Sequence, residues 1–401
     1  MKLLFVLDSG FDTYGPSLHL YKALFEDLLK AGHRVHLLES VSTRKDPVVP
    51  ATIENHPNFT YELIPLAITK KHQFALRYLA GVQYCFRTIK YLKKYKDYDL
   101  VHVQSCPWAP FMVSIAKKVL NLPTVYNVQD MFPGSSIASG VMPYRWMQKF
   151  FYAFQKIAYK KADIISVISE DMKQMVLDQG VPENKVKVIV NWYDDSFVRE
   201  ISWEENLFVK KYNMSKDKFY VQYAGTMGFV FDYKMVLKVA SNLKKYKDIV
   251  FQMIGFGSQY DDFIAAAKSE GLDNIVFYPL EPQPMVPHVY SACSICFIPL
   301  KRGIIGNSVP SKAGLLMSCR RVIVNSVDEW SDYYKMFGRE NMGISAPNTD
   351  AEAVTEAILT LYHDRKLIET YAENAKQYGE KYYSRTVNTA LYNALYESMN
   401  K

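Results

Sequence analysis

A loop with glycines, polar side chains and a lysine lies between two apolar runs in the last third of the chain. The stretch Gly303–Cys319 reads GIIGNSVPSKAGLLMSC and joins the strand-like runs CSICFIPL and RVIV. Glycine and serine just before a helix leave backbone N–H groups free to bind an anion, and Arg302 and Lys312 add positive charge. A surface lysine is the alternative for Lys312, although a helix N-terminus disfavours a cation. The stretch is therefore a candidate phosphate-binding turn.

Polar side chains also follow two apolar runs in the first half of the chain. His102 and Gln104 share one face of the run LVHVQS, because side chains alternate across a strand. Asp130 follows the run TVYNV, and a carboxylate at a strand end can act as a general base. Asp8 and Asp12 are weaker candidates. A core histidine with satisfied hydrogen bonds is the alternative for His102, and a turn or helix-cap aspartate is the alternative for Asp130.

Alternating strands and helices must position these residues. The first half contains the strand-like runs LLFVL, RVHLLES, FTYELIPL, LVHVQS, TVYNV, IISVIS and VKVIVN, mostly separated by helical patterns. Residues 191–218 are polar and poor in strand pattern, so we place the domain linker there. The alternation then restarts with FYVQYAG, IVFQMIG, IVFYPL, ICFIPL and RVIVN. The pattern predicts an α/β chain of two Rossmann-like domains, with ligand at the carboxyl ends of parallel strands that face a central cleft.

Composition and cysteine usage narrow the class of protein. With 49% hydrophobic and 22% charged residues, the 401-residue chain can build proper cores. It has no apolar run of about 18 residues that would predict a membrane span, and MKLLFVLDSG does not resemble a secretory signal. Cys293 and Cys296 form a lone C-x-x-C inside a strand-like run, which favours packing over a zinc or redox site. We therefore expect a protein of a reducing, cytoplasmic compartment.

The net charge of +7 is concentrated in two aromatic segments. Residues 70–96 contain eight Lys or Arg and no acid, and residues 143–161 contain five Lys or Arg and no acid. Positive charge and rings at helical spacing suit an anionic membrane surface. The alternatives are a solvated helix face with core aromatics behind it, and nucleic acid, for which no motif is present. We expect peripheral contact with the inner face of the cell membrane and no nucleic-acid partner.

Four stretches in order resemble the GT-B glycosyltransferases, most closely the retaining family 4. They are the glycine loop, helix and strand in DSGFDTYGPSLHLYKALFEDLLKAGHRVHLL, the YAGTMG turn, the long stretch from MIGFGSQY to CFIPL, and VPSKAGLLMSCRRVIV. VQDMFPGSS and VPSK are similar to the subgroup that assembles capsule or O-antigen polysaccharides. The resemblance implies an acceptor-binding domain at 1–195, a nucleotide-sugar-binding domain at 196–379, and a C-terminal helix at 380–401 that crosses back to the first domain.

The resemblance also implies roles for individual residues. In the family, the loop and helix start after the fourth strand of the second domain hold the sugar and diphosphate of the donor. Donor-binding roles are implied for Gly15, Gly225, Thr226, Tyr278, Leu280, Gly306, Asn307, Ser308, Ser311 and Lys312. The catalytic candidates are Asp130, His102, Lys312 and Arg302.

The chain departs from the family at the donor site. The family usually has two glutamates eight positions apart, and these fall on Asn307 and Leu315. The usual Arg and Lys after the AG pair are also missing, since Thr226 and Met227 stand there. A carboxylate that binds ribose is therefore absent at Leu315, and phosphate binding must rest on Arg302, Lys312 and backbone N–H groups.

The function implied by the resemblance is retaining, metal-independent transfer of a sugar. The donor would be a UDP-sugar, with an N-acetylated hexosamine among the candidates, and the acceptor a lipid-linked or membrane-proximal saccharide in surface polysaccharide synthesis. We expect no cofactor and no metal, because the chain lacks a D-x-D triplet after a strand. The alternatives are a non-catalytic accessory subunit of another transferase and a UDP-sugar 2-epimerase.

Overall fold

Strands that alternate with helices build two parallel sheets. A computed structural model describes residues 1–8, 11, 18–41, 49–66, 74–95, 97–138, 140, 142–307, 309–310 and 312–400. In these residues the strands of the first sheet are β1 (Lys2–Leu7), β2 (Arg34–Val41), β3 (Phe59–Pro65), β4 (Leu100–Gln104), β5 (Thr124–Val128), β6 (Ile164–Val167) and β7 (Val186–Val188). They pair in the order β3-β2-β1-β4-β5-β6-β7.

The second sheet follows the same principle. Its described strands are β8 (Phe219–Thr226), β9 (Ile249–Phe256), β10 (Ile275–Tyr278), β11 (Ile295–Pro299), β12 (Ile323–Val327) and β13 (Gly343–Pro347). They pair in the order β10-β9-β8-β11-β12-β13, and all the pairings are parallel. Most strands are buried on both faces, which explains their continuous apolar sequences. The two Rossmann-like α/β sheets predicted from the sequence are thus confirmed.

Helices connect the strands. Those of the first half are α1 (Leu18–Lys30), α2 (Ala51–Glu54), α3 (Phe74–Leu92), α4 (Ala109–Leu120), α5 (Gly134–Ala138), α6 (Arg145–Lys161) and α7 (Glu170–Leu177). The later helices are α8 (Leu207–Lys211), α9 (Tyr233–Asn242), α10 (Tyr260–Ser269), α11 (Val286–Ser291), α12 (Lys312–Ser318), α13 (Asp332–Arg339), α14 (Ala351–His363), α15 (Arg365–Tyr382) and α16 (Arg385–Met399). Short 3₁₀ turns lie at Glu183–Lys185 and Gln283–Met285.

The chain divides into two compact units. The first consists of Met1–Asn191 together with the chain from Thr386 onward, and the second of Trp192–Arg385. The sequence placed these boundaries at 195/196 and 379/380. The boundaries differ because Tyr193 forms a parallel bridge with Ser384, and its N–H donates to the carbonyl of Tyr383 at 3.0 Å. These bonds attach the segment around Tyr193 to the second unit.

The sequence did not predict the strand β13 or the helix α8. The strand β13 (GISAP) carries a glycine and a proline and has little apolar pattern, so pairing with β12 decides its conformation. The helix α8 lies in the segment that we expected to be a linker. Asn206 caps α8, because its side-chain oxygen accepts from the backbone N–H groups of Phe208 and Val209.

Candidate functional site

The second sheet changes direction between β8 and β11. From β8 the chain runs outward through β9 to β10, and it then returns to β11 on the other side of β8. The loops that follow β8 and β11 therefore leave the sheet in opposite directions and open a crevice at its carboxyl edge. Ligands of open α/β sheets bind at such a switch point. The loop after β11 is the candidate phosphate-binding turn of the sequence, and α12 begins directly after it.

Lys312, the first residue of α12, reaches into this switch point. Its side-chain nitrogen donates to the carbonyl oxygen of Ala224 at 3.0 Å and lies 3.7 Å from the ring centroid of Tyr223. Both partners belong to the end of β8. Burial lowers the pKa of Lys312 from 10.5 to about 7, since a carbonyl and a ring compensate only part of the lost hydration. No carboxylate among the described residues forms an ion pair with Lys312, so this desolvated cation is suited to receive an anion.

Gly225 makes room for this lysine. Its φ is +146°, and a Cβ built on it would lie 2.5 Å from the side-chain nitrogen of Lys312. Any other residue would therefore be strained and would displace the ammonium group. Next to it, Thr226 is exposed, and its carbonyl oxygen accepts from the hydroxyl of Tyr223 at 2.8 Å. Tyr223 thus supports both the lysine and the turn.

Neighbouring loops hold the turn after β8 in place. A Cβ on Gly255 would lie 2.1 Å from the carbonyl oxygen of Gly225, so glycine allows the two backbones to approach. The side-chain amide of Gln259 donates to the carbonyl oxygens of Gly228 and Phe231. Its side-chain oxygen accepts from the Lys301 ammonium at 2.9 Å. Gln259 therefore links the loops after β8, β9 and β11.

Asp328, the residue that directly follows β12, anchors the loop after β11. Both carboxylate oxygens of Asp328 accept from the backbone N–H of Gly303, at 3.0 and 2.8 Å. The Asn307 side-chain amide donates to the carbonyl of Gly303 at 3.1 Å, and its oxygen is buried without a hydrogen-bond partner within the part of the chain that the structure describes. Gly306 is buried with φ +87°, and Arg302 is exposed. The predicted donor residues Ser308 and Ser311 lie outside the described residues.

Tyr278 and Leu280, the candidates for nucleobase contact, lie farther from the switch point. Tyr278 ends β10, the edge strand of the sheet, and its ring contacts those of Phe208 and Tyr212 at 5.4 and 4.7 Å. Leu280 follows in the next loop and is exposed. The side chain of Tyr278 is therefore engaged in ring packing, and nucleobase contact through backbone groups remains a prediction.

His102 lies in the core of the first unit and is 1% exposed. Its Nδ1 lies 2.9 Å from the hydroxyl of Tyr396 in α16, and its Nε2 lies 3.4 Å from the hydroxyl of Tyr21 in α1. Burial lowers its pKa from 6.5 to about 3. These contacts favour the alternative of a core histidine, so we withdraw the catalytic role for His102. Its position explains how α16 is fastened to the first sheet.

Asp130 occupies a more open position. It is exposed and stands two residues beyond the end of β5, after Gln129, whose N–H donates to the Ser105 hydroxyl at 2.9 Å. Strand β5 neighbours β4, which lies beside β1 at the switch point of the first sheet. A base role for Asp130 stays a prediction.

Asp8 follows β1, and its backbone oxygen accepts from the Ser40 hydroxyl. Gly15 and Asp12 lie outside the described residues.

Three residues of the site were missed in the sequence: Tyr223, Gln259 and Asp328. Asp328 directly follows β12, so the rule that selected Asp130, a polar residue at a strand end, could have found it. Tyr223 lies within the apolar run FYVQYAG, and no sequence signal distinguishes a core tyrosine from one that contacts a lysine. Gln259 forms its bonds across three loops, which no local pattern reveals.

The cysteine pair lies behind this site. The sulfur atoms of Cys293 and Cys296 are 3.5 Å apart, and both residues are buried. Burial raises the pKa of the Cys296 thiol well above its usual value, which makes it a poor nucleophile. Among the residues that the structure describes, no group of three or more His, Cys, Asp or Glu side chains could hold a metal ion.

Known families match both halves of the chain. The Glycosyltransferase Family 4 model matches residues 21–197, and the Glycosyl transferases group 1 model matches residues 204–378. Together the two models span more than half of the chain.

Two individual relatives and one solved structure are also similar to this chain. The probable glycosyltransferase WbjE of Pseudomonas aeruginosa is 22% identical over 309 residues, which are 75% of this chain and 76% of that protein. The putative colanic acid biosynthesis glycosyl transferase WcaI of Escherichia coli is 20% identical over 230 residues, 57% of this chain and 56% of that protein. Anabaena Alr3699/HepE in complex with UDP shares the fold, with a TM-score of 0.76 and 14% identity over 99% of this chain and 100% of that one. The chain therefore belongs to the glycosyltransferases of the GT-B fold, with a family 4 domain followed by a group 1 domain.

Proposed function

We propose that this protein transfers a sugar from a UDP-sugar to a lipid-linked or membrane-proximal saccharide during the synthesis of a surface polysaccharide. Family membership supports the class of reaction. The relative WcaI is named for colanic acid biosynthesis, and Anabaena Alr3699/HepE was solved with UDP. The observation that carries the proposal is the position of Lys312, a desolvated cation at the switch point of the second sheet.

Lys312 would stabilise the leaving group. When the bond between sugar and diphosphate breaks, negative charge builds up on the departing nucleoside diphosphate. In our proposal the ammonium group turns from the carbonyl of Ala224 to a diphosphate oxygen. A charge-assisted hydrogen bond of this kind contributes roughly 1.5–3 kcal/mol. The diphosphate would also raise the pKa of Lys312 again, which keeps the ammonium group protonated in the complex.

The loop after β11 would complete the donor contacts. Asn307 stands where the family usually has its first glutamate, and its buried side-chain oxygen can accept a hydrogen bond from a sugar hydroxyl. Gly306 and Gly225 would let the donor approach the backbone closely. Arg302, exposed on the same loop, is a second cation for the diphosphate. Thr226 at the end of β8 would line the opposite side of the crevice.

The ribose must be bound differently from the usual family pattern. Leu315, which stands where the second glutamate is expected, is a partly buried residue of α12 and offers no hydrogen-bond acceptor on its side chain. Selection of uridine would then rest on backbone groups near Tyr278 and Leu280. We place UDP-N-acetylhexosamines among the candidate donors, because the resembling subgroup that transfers amino sugars also varies at this position.

We propose that the transfer retains the anomeric configuration and needs no metal ion. The acceptor hydroxyl would attack the face from which the diphosphate leaves, and the diphosphate itself or Asp130 would take the proton. Lys312, Arg302 and backbone N–H groups would supply the positive charge that a divalent cation provides in other enzymes. Retention is carried by the family resemblance and not by a residue of this site.

Product analysis tests this function. The full-length protein is incubated in EDTA with UDP-glucose, UDP-galactose or UDP-N-acetylglucosamine and a lipid extract of its own cells as the acceptor source. We expect release of UDP with one donor, a labelled lipid product on thin-layer chromatography, and an unchanged anomeric configuration by NMR of the product.

Two other outcomes would identify the alternatives. An epimerised nucleotide-sugar without transfer would indicate a 2-epimerase. The absence of both product and UDP release with every donor would indicate the accessory subunit, in agreement with the missing glutamates at Asn307 and Leu315. The Lys312→Met protein is the matched control, and any activity that survives unchanged in it does not arise from the proposed site.

A further inference from the structure

Helix α6 has two apolar faces. One face is buried against the first unit and is formed by Phe151, Gln155, Ala158 and Tyr159. The opposite face carries Trp146, Phe150 and Ile157, which are 71%, 55% and 44% exposed. Their spacing of four and seven residues places them in one stripe along the helix. The aromatic residues of this stripe are therefore not core residues, which removes the simplest explanation for their presence.

Cations flank the exposed stripe of α6. Arg145, Lys149, Lys156, Lys160 and Lys161 are all exposed, and the helix contains no acidic residue. Within the described part of the chain, none of these five forms a salt bridge. An exposed helix normally mixes both signs of charge on its outer face. Here apolar side chains and unneutralised cations occupy that face together.

Helix α3 repeats the arrangement. Leu79 and Phe86 are 62% and 65% exposed and lie on the side of α3 that faces away from buried Tyr84 and Thr88. Lys90 continues the same side of the helix and is exposed. The pattern is thus not a peculiarity of α6.

The two helices belong to one layer, because both pack against α4. A Cβ on Gly81 of α3 would lie 2.1 Å from the Trp108 ring at the start of α4, so only glycine permits this approach. On the other side, Phe111 of α4 and Phe154 of α6 have ring centroids 4.1 Å apart. The exposed residues of α3 and α6 therefore lie on the same layer of the first unit, and we call them the α3–α6 face.

We propose that the α3–α6 face docks this protein on an anionic lipid bilayer. An amphipathic helix that lies in the membrane interface needs apolar and aromatic side chains toward the acyl region and Lys or Arg beside the headgroups. Both are present, and the charges are complementary to anionic lipid and not to a neutral surface. The stripe from Trp146 to Ile157 is about 16 Å long, which suits a helix parallel to the membrane plane. None of the described helices is long and apolar enough to span a membrane. The inference does not depend on the donor site.

Vesicle sedimentation of the full-length protein tests this docking. Vesicles contain phosphatidylcholine alone or mixed with phosphatidylglycerol. We expect the wild type to bind the anionic vesicles at least tenfold more tightly than the neutral ones, since each basic residue near the surface contributes about 1 kcal/mol. The double variants Trp146→Ala/Phe150→Ala and Lys149→Glu/Lys156→Glu should each bind at least tenfold more weakly. These four side chains are exposed, so the variants should fold as the wild type does.

Matched controls separate docking from general charge and hydrophobicity. The charge control is Lys234→Glu/Lys238→Glu on the exposed side of α9, and the aromatic control is Trp330→Ala. Both should bind like the wild type. Brominated lipids should quench the fluorescence of Trp146, and Trp146→Phe should lose most of this quenching while it keeps vesicle binding.

Three results would overturn the proposal. The first is equal binding of the wild type to neutral and anionic vesicles, or no binding to either. The second is an equal loss of binding in the α9 control and in the α6 charge variant, which would indicate net charge alone. The third is tight binding of the protein to a single-stranded RNA probe without binding to vesicles, which would assign the face to nucleic acid instead.

Discussion

The side-chain nitrogen of Lys312 lies 3.0 Å from the backbone carbonyl oxygen of Ala224. This bond joins the first residue of α12 to the end of β8, across the switch point of the second sheet. The ring of Tyr223 lies on the ammonium group, and Gly225 leaves the space that the group occupies. The four residues form a preorganised site for a cation that is held by neutral partners and is ready to exchange one of them for a phosphate oxygen.

Gly225→Ala should weaken donor binding without touching the donor directly. The added methyl group would lie 2.5 Å from the Lys312 nitrogen, and the φ of +146° is unfavourable for alanine. We expect a cost of about 1–3 kcal/mol in the free energy of unfolding and a weaker Kd for the UDP-sugar. Chemical denaturation and isothermal titration calorimetry measure the two effects. Gly303→Ala, at a positive φ with nothing within 4 Å of the added Cβ, is the control for backbone strain alone. Equal losses of affinity in both variants would contradict the steric role of Gly225.

Binding of a UDP-sugar should weaken as the pH rises above 7. Lys312 has a pKa of about 7 in the free protein, and contact with the diphosphate should raise it in the complex. Above pH 7 the complex therefore holds more protons than the free protein, so the affinity falls as the pH rises, by up to about tenfold per pH unit. Titration calorimetry from pH 6 to 9 measures this slope. Lys312→Met should bind weakly and show no such slope, and a slope that persists in the variant would assign the pH dependence to another group.

The same pKa shift should appear in stability without any ligand. Unfolding returns the pKa of Lys312 from about 7 to 10.5, so between these values the unfolded chain binds more protons than the folded one. The contribution of Lys312 to the free energy of unfolding therefore increases as the pH rises from 7 to 10.5. We expect the difference in unfolding free energy between the wild type and Lys312→Met to change in this direction in urea titrations. A constant difference across this range would show that Lys312 is not desolvated.

His102→Leu should destabilise the first unit and leave catalysis intact. The substitution deprives the buried Tyr396 hydroxyl of its ring-nitrogen partner, which costs about 1–3 kcal/mol. His102 has a pKa of about 3 when folded and 6.5 when unfolded, so the stability that it contributes is lost as the pH falls below 6.5. Urea unfolding at pH 5 and pH 7 measures this difference. A loss of kcat in His102→Leu at a temperature where the protein is folded would restore the catalytic role that we withdrew.

Asp130→Asn should lower kcat by about 10²–10⁴ if the carboxylate acts as the base toward the acceptor. The donor Kd should not change, because Asp130 is not among the proposed donor contacts and belongs to the other unit from Lys312. Steady-state kinetics with the lipid acceptor and calorimetry with the donor alone separate the two readouts. If kcat is unchanged, the leaving diphosphate takes the proton and Asp130 is a turn residue.

The sequence predicts those parts of the fold that depend on local pattern. Short apolar runs separated by helical periodicity specify parallel sheets. Glycine is also a typical residue just after a helix end, and Gly32, with φ +83°, follows α1 in this way. The strand β13 could not be predicted in this way, because GISAP has no apolar alternation of its own. Its conformation is fixed by pairing with β12. The boundary near Tyr193 also depends on a distant partner, Ser384.

Only part of the site could be predicted, because several of its contacts join residues that are distant in the sequence. Lys312 could be selected because a cation at a helix start is locally unusual. The reason for its low pKa, burial beside Tyr223 and Ala224, joins residues nearly ninety positions apart and is invisible in the sequence. The sequence could not decide between a catalytic and a core role for His102 either. Its partners Tyr21 and Tyr396 come from helices at opposite ends of the chain.

The most direct test of the central claim, a working donor site around Lys312, is a thermal-shift panel. UDP, GDP, ADP and CMP are each added in EDTA to the wild type, to Lys312→Met and to Lys238→Met, an exposed lysine of α9. A ligand at about 100 times its Kd stabilises the fold by roughly 2.7 kcal/mol, which is easily measured. We predict that UDP alone shifts the Tm of the wild type and of Lys238→Met, and that the shift is clearly smaller in Lys312→Met. No shift with any nucleotide, or an equal UDP shift in Lys312→Met, would contradict the account.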